Sequence, residues 1–231
     1  MLTRWENLPE QMRKDSVKHY YDILAKKRPS LIVKRIFDVI ISLIMLCLLS
    51  PLFLVLAILI KMDSKGPIFY RQVRVTTAGC DFRIVKFRTM IQEADKIGSL
   101  VTAGSDTRIT RIGSKIRKCR LDELPQLLNV VKGEMSFVGT RPEVQKYVNA
   151  YNDEMRATLL MPAGITSLAS VNFKDEDAIM DQYLAEGMNI DDAYIEHVLP
   201  EKMKYNLEYL KSFSFWGDIK LMIKTIVSVL K

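Results

Sequence analysis

The apolar run from Val39 to Ile60, broken near its middle by Ser50-Pro51, restricts this chain more than any other feature. It approaches the ~20 residues that a helix needs to span a bilayer, a length at which a buried core helix is the competing assignment. Basic residues stand on both sides: Lys26, Lys27, Arg28, Lys34 and Arg35 before it, Lys61, Lys65, Arg71 and Arg74 after it. Such flanks prefer the cytoplasm, so a single crossing puts one cluster on the wrong side. Pro51 has no N–H, and its ring collides with the carbonyl four residues back, at Cys47, so a kink is expected there. A hydroxyl such as that of Ser50 can re-satisfy backbone groups freed in lipid. Each arm of a helix-break-helix has ~12 residues, or ~18 Å, too short to cross alone. Two paths fit these residues: a kinked span, and a dip that enters and leaves on one face. Asp38, near the start of the run, is expected at the interface, within reach of Arg35.

The chain of 231 residues suffices for one sizeable domain with appendages. Hydrophobic residues make up 48%, which excludes a disordered or fibrous class. The excess apolarity is local, so the mean hydropathy of +0.04 conceals it. A net charge of +7 suits nucleic acid, anionic lipid or phosphorylated substrates equally. Cys47, Cys80 and Cys119 form no disulfide framework and point to a reducing milieu. Met1 to Ser30 is polar and does not read as a signal peptide. The expected organisation is an N-terminal helical extension over 1–33, a membrane helix over 34–61, and a cytosolic domain over 62–231. In the extension, Asn7 suits a cap, Pro9 and Glu10 a first turn, and Leu8, Met12, Tyr20 and Leu24 fall on one side. Its Lys/Arg content favours an anionic lipid surface. A solvated helix or a partner contact fits the same pattern.

Beyond the apolar run, Ile68–Val75 and Phe82–Met90 read as strands of a small β-hairpin joined by the turn-rich residues 76–81. Period two puts Lys86 and Arg88 on one face of the second strand, aimed at one target, unless that face is a solvated edge. Gly98 to Arg111 reads as loop, followed by a short basic helix with Lys115, Arg117, Lys118 and Arg120. Between Lys61 and Arg120, basic residues outnumber acidic ones roughly three to one. Asp175 to Glu201 contains no Lys or Arg. At a membrane the basic section would face lipid and the acidic section the cytosol. Phe213–Lys231 is amphipathic: Lys220, Lys224, Ser228 and Lys231 form a polar stripe, with Trp216, Ile219, Ile223, Ile226 and Leu230 around it. This suits a helix lying in the interface, or one packed on a core.

The most informative block runs from Arg120 to Glu143. Leu124, Leu127, Leu128 and Val131 make a helical stripe that Lys132-Gly133 ends. Pro125 must lie in the first turn, where its missing N–H costs nothing. Asp122 and Glu123 therefore stand at or just before a helix N-terminus, the positive end of the helix dipole. An acidic pair there is ordinarily a cap and a solvated charge. Embedded in a basic section, it is also a candidate for chemistry on phosphorus. Carboxylates can bind Mg²⁺ or attack phosphorus, and the surrounding cations can neutralise phosphates.

Several separated motifs in fixed order resemble those of the bacterial sugar transferases, the monotopic polyprenyl-phosphate phosphoglycosyl transferases. They are Lys34-Arg35-Ile36-Phe37-Asp38, Ser50-Pro51, Lys86-Phe87-Arg88-Thr89-Met90, Asp106 to Gly113, Leu121 to Asn129, Ser136-Phe137-Val138-Gly139 and Arg141-Pro142. The likeness runs from about Lys34 to the C-terminus. It implies an α+β, mostly helical monotopic membrane protein with a re-entrant helix broken at Ser50-Pro51, a small β-hairpin and interfacial amphipathic helices. The implied site has Asp122 as nucleophile and Glu123 as ligand of a Mg²⁺ cofactor. Arg117, Arg141, Lys86 and Arg88 are implied at the substrate phosphates. The chain departs from the family pattern at Thr140, where proline is usual, and across Pro162–Ser170, where an arginine and a tryptophan are missing.

The implied reaction transfers a sugar-1-phosphate from a UDP-sugar donor to a polyprenyl (undecaprenyl) phosphate acceptor through an aspartyl-phosphosugar. It is the first membrane step in assembling a bacterial exopolysaccharide, capsule, O-antigen or glycoprotein glycan. The implied location is the cytosolic face of the bacterial cytoplasmic membrane, with membrane lipid as a partner and the oligomeric state open. One rival is a glycosyltransferase that attacks the sugar carbon and releases UDP. Another is a basic adaptor or nucleic-acid binder, for which charge is the sole support. No zinc spacing or recognition helix marks it, so no nucleic-acid partner is expected.

Overall fold

The computed structural model describes residues 2–94, 106–173 and 176–230. Residues 98–105 of the loop expected over Gly98–Arg111, and the polar-stripe residue Lys231, lie outside them. Short 3-10 turns at Trp5–Asn7 and Glu10–Met12 precede α1 (Asp15–Lys26), so the helix begins later than the Asn7 cap predicts. Leu8, Met12, Tyr20 and Leu24 do share one side, and that side is buried in the main core. The phenol of Tyr20 donates to Glu154 Oε1 at 2.6 Å, and Lys27 donates to the carbonyl of Phe213. The apolar stripe of the extension is thus consumed by the protein itself, and only its polar side is left for other contacts.

Helices α2 (Arg28–Leu48) and α3 (Ser50–Asp63) meet at the Ser-Pro step with a bend of 62°. Pro51 denies Cys47 its helical donor, and the Ser50 hydroxyl takes that place, donating to the Cys47 carbonyl at 2.8 Å. No single described helix is long and apolar enough to cross a membrane, whereas the bent pair together reaches that apolar length. Its amphipathicity is inverted. The residues α2 buries are Leu31, Lys34, Asp38 and Ser42, while Ile36, Ile40, Leu43, Ile44 and Leu48 face outward, Leu48 at 74% exposure. A helix on a water-facing surface shows the opposite arrangement.

Asp38 is only 2% exposed and does not pair with Arg35. The Ser136 hydroxyl donates to it at 2.7 Å, and Lys34 lies 3.9 Å away. Arg35 instead donates to the carbonyls of Val130 and Val131 at 2.5 and 3.0 Å, in the last turn of a later helix, α5 (Leu127–Lys132). Gly133 closes α5 with φ +89°, and a Cβ there would meet the Arg35 guanidinium at 3.2 Å.

Strands β1 (Phe69–Val75) and β2 (Asp81–Phe87) form the expected antiparallel hairpin, with Tyr70 opposite Lys86. The other edge of β2 meets no strand among the described residues. There the buried side chain of Asn129 accepts from the Val85 N–H and donates to the Arg83 carbonyl, closing an edge that would otherwise be open. A basic helix, α4 (Arg111–Lys118), leads into a 3-10 turn at Leu121–Gln126 and then α5. Next come β3 (Met135–Val138), α6 (Gln145–Asn149), a 3-10 turn at Met155–Leu160 and β4 (Ala163–Thr166). Strands β3 and β4 pair in parallel, a second small sheet absent from the sequence reading. A Cβ on Gly164 would lie 2.2 Å from the nitrogen of Gly139, so the two chains can approach only at glycine.

Helix α7 (Leu168–Asn172) precedes the acidic part, which contains α8 (Glu176–Ala185) and α9 (Ile190–Ala193). A π-helical turn at Tyr194–Val198 continues into α10 (Leu199–Ser212), and α11 (Phe215–Leu230) completes the described chain. Helix α11 buries Leu221 and Asp218 yet leaves Trp216, Ile223, Ile226 and Val227 exposed. It therefore joins α2 and α3 in presenting apolar side chains outward.

Candidate active site

The acidic pair lies in the 3-10 turn Leu121–Gln126, with Pro125 inside it, rather than at the N-terminus of an α-helix. Arg120 precedes the turn in the left-handed region, φ +56°. A non-glycine residue there costs about 1–3 kcal/mol and survives only where surroundings dictate it. Its effect is to reverse the chain after α4, so that α4 and the acidic turn pack side by side. Leu121 and Leu124 of the turn pack on a cluster built from α3, β2 and α4, namely Leu56, Ile60, Phe87 and Ile116. The pair is thereby fixed between the bent helices and the hairpin.

Glu123 is buried, and its Oε1 takes two cations at once, Arg141 at 2.7 Å and Lys86 at 3.1 Å. Burial alone raises such a carboxyl, but here the Arg141 guanidinium and the Lys86 ammonium hold it well below the usual carboxylate range. Asp122 is half-buried. Burial first, and the Glu123 charge second, push its carboxyl above the usual range, with Lys86 and Arg117 opposing. Neighbouring carboxylates whose environments drive their pKa values apart are suited to different roles.

Asp122 lines a cleft of about 330 Å³ whose wall also carries Arg71, Arg74, Lys86, Arg108 and Arg117. Such a cationic cleft suits a diphosphate. Arg88 lines it too, but its guanidinium donates to the carbonyls of Ser64 and Lys65 and to the Ser64 hydroxyl, tying the hairpin to the end of α3. Lys86 and Arg88 therefore do not converge on one target. Glu123 and Arg141 line a different space, an apolar groove of about 430 Å³ between α2, the acidic turn, β4 and α11. The altered segment Pro162–Ser170 contributes Ile165, Thr166 and Ser170 to this groove and nothing to the cationic cleft.

Residues that the sequence left unassigned support the pair. Asn129 locks α5 to β2, and its position among Leu127, Leu128, Val130 and Val131 is the signal: a polar side chain within an apolar helical run must find partners inside. Arg141 is held from behind by its neighbours. Arg74 donates to the carbonyl of Pro142 at 3.2 Å and lies 3.9 Å from Glu143, which accepts a 2.6 Å bond from the Tyr194 hydroxyl. Lys202 in turn donates to Tyr194 at 3.0 Å. The π-helical turn sets Tyr194 in this network.

Among the described residues, no three carboxylate, imidazole or thiol groups converge as a ready metal cage. Magnesium seldom requires one, since it binds through one or two carboxylates together with substrate phosphates. Asp122, which lines the cationic cleft, and the adjoining Glu123, which Arg141 and Lys86 keep ionised, fit that donor set.

A family profile described as bacterial sugar transferase matches residues 29–231. The UDP-N-acetylgalactosamine-undecaprenyl-phosphate N-acetylgalactosaminephosphotransferase of Aeromonas hydrophila is 37% identical over 201 residues, 86% of this chain and 44% of that protein. The UDP-glucose:undecaprenyl-phosphate glucose-1-phosphate transferase of Caulobacter vibrioides is 33% identical over 85% of this chain and 69% of its own length. The exopolysaccharide production protein ExoY of Sinorhizobium fredii is 33% identical over 86% of this chain and 85% of its own length. The chain thus spans less than half of the Aeromonas relative but most of the Sinorhizobium one.

Proposed function

This chain belongs to the bacterial sugar transferase family, and we propose that it transfers a sugar-1-phosphate from a UDP-sugar to a polyprenyl phosphate through an aspartyl-phosphosugar on Asp122. The observation that carries this reading is the division of labour in the acidic pair: Glu123 neutralised by Arg141 and Lys86, Asp122 half-buried in a cationic cleft. A carboxylate with a raised pKa is a better nucleophile than an ordinary one and needs no base once ionised. An oxygen of Asp122 bonds to the sugar-bearing phosphorus as the bond to the bridging oxygen breaks, and UMP leaves with that electron pair. An oxygen of the polyprenyl phosphate then bonds to the same phosphorus, and Asp122 is released as a carboxylate. Arg117 and Arg141 offset charge on the equatorial oxygens, and Lys86 holds Glu123 in place. Magnesium, when bound through Glu123, adds neutralisation of the diphosphate.

The same reading places the chain on the cytosolic face of the bacterial cytoplasmic membrane, with α2 and α3 as a re-entrant pair. Three features support it: the 62° bend, the basic residues on both flanks, and the outward apolar faces of α2, α3 and α11. The two supported substrates are those named for the relatives, a UDP-sugar and undecaprenyl phosphate. Identifying the nucleotide product tests the reaction type. Phosphorus attack releases UMP; attack at the sugar carbon releases UDP, and UDP as the sole nucleotide product would refute the proposal.

A further inference from the structure

The two spaces that meet at the acidic pair differ in chemistry. The cleft beside Asp122 carries Arg71, Arg74, Lys86, Arg108 and Arg117 among its lining, whereas the groove beside Glu123 has walls of Met45, Leu127, Phe137, Met222 and Ile226. Lys118, Arg120 and Arg141 line that groove as well. Apolar walls with a cationic side complement an amphiphile that carries an anionic head. The groove is also continuous with the outward apolar surface. Ile226 is 59% exposed, and Met45 lies on α2 among the exposed Leu43, Ile44 and Leu48. A long apolar tail can therefore pass from that surface into the groove without leaving apolar surroundings.

We infer that this groove binds the isoprenoid units next to the phosphate of the polyprenyl phosphate acceptor, an assignment that rests on the two-step displacement proposed above. In-line displacement of Asp122 requires the acceptor phosphate to attack from the side vacated by UMP. The two substrates thus share one phosphate position beside Asp122 and part beyond it, the nucleoside into the cationic cleft and the isoprenoid into the groove. The hydroxyls of Thr166 and Thr225 are bonded to each other at 2.8 Å, which lowers the cost of an apolar neighbour there.

The test uses the full chain in lipid nanodiscs with UDP-sugar donor and undecaprenyl phosphate. Two quantities are read: the burst of UMP released without acceptor, and the KM for the lipid in turnover. Met222→Trp fills the groove and is expected to keep the burst while raising the lipid KM about tenfold or more. Val227→Trp, on the exposed side of the same helix, should change neither. Should Met222→Trp fail to fold, Ile226→Asn at an already exposed position gives the same readings. An unchanged lipid KM in the groove variants overturns the assignment, as does a lost burst in a folded variant, which would make the groove part of the donor site. Absence of a burst from the unaltered enzyme would instead overturn the displacement scheme itself, and the groove assignment with it.

Discussion

Lys34 on α2 donates to Asp218 on α11 at 2.5 Å, although 184 positions separate them and both side chains are buried. Asp38 lies 3.9 Å from the same ammonium, and the Tyr209 hydroxyl donates to Asp218 at 3.0 Å. One cation thus serves two carboxylates and fastens the first bent helix to the last helix of the described chain. Lys34→Met leaves both carboxylates without their cation. Breaking a buried pair this way typically costs about 3–5 kcal/mol, because the remaining charge is stranded. Thermal unfolding in nanodiscs should show a clearly lowered midpoint for Lys34→Met, whereas Lys18→Met, in an exposed pair with Asp22, should unfold like the parent.

The bend between α2 and α3 depends on a missing N–H and a hydroxyl that replaces it. Pro51→Ala restores the donor to the Cys47 carbonyl and permits one continuous helix long enough to cross. Cysteine-accessibility labelling of intact cells should then find residues before α2 and after α3 on opposite faces in the variant. In the parent both should be accessible only from the cytosolic face. Ser50→Ala removes only the replacing hydroxyl and should keep the parent arrangement.

Glu143 is a positioning residue rather than a catalytic one. It touches Tyr194, Arg74 and Lys202, and the carbonyl of its neighbour Pro142 accepts from Arg74. Glu143→Gln removes the charge that anchors Arg74 and loosens the loop carrying Arg141. In this variant kcat should fall about tenfold or more with the lipid KM little changed, while Tyr194→Phe should give a milder loss of the same kind. Steady-state kinetics with both substrates varied separates this from a binding defect.

The acidic pair predicts a pH signature. In the proposed displacement Asp122 attacks as the carboxylate, and its folded pKa is raised, so activity should fall on acidification at a higher pH than an ordinary aspartate would allow. Glu123→Gln removes one cause of that rise. The acid limb of the single-turnover pH profile should therefore move to lower pH, even as the rate drops by about a hundredfold. Glu123 carries the opposite sign for stability. Its folded pKa is depressed, so its contribution is present above the ordinary glutamate pKa and is lost as the pH falls toward the folded value.

The features legible in the sequence are those fixed by local covalent chemistry. Pro51 dictates a break and Ser50 its repair, and Gly133 ends α5 where Lys132-Gly133 predicts. The acidic pair stands out because carboxylates are scarce in a basic section. The features that were not legible depend on distant chain segments meeting. Nothing local to Lys34 reveals Asp218, and nothing near Arg141 reveals Tyr194 or Lys202. Strands β3 and β4 are four residues each and buried except for the partly exposed Ile165, so they show no alternation to read. The basic content of the extension suggested lipid, but its buried stripe of Leu8, Met12, Tyr20 and Leu24 packs against the body of the protein. Local pattern gave the right stripe there, and only the tertiary structure gives its partner.

In the proposed reaction Asp122 carries the sugar phosphate between the two half-reactions. Incubating the full chain with donor labelled in the sugar, without lipid acceptor, and mapping the label by mass spectrometry tests it most directly. Label should appear on the peptide containing Asp122, be discharged when polyprenyl phosphate is added, and be absent from Asp122→Asn, whose turnover should fall at least about a thousandfold. Equal labelling of Asp122→Asn, or label on another residue, would contradict it.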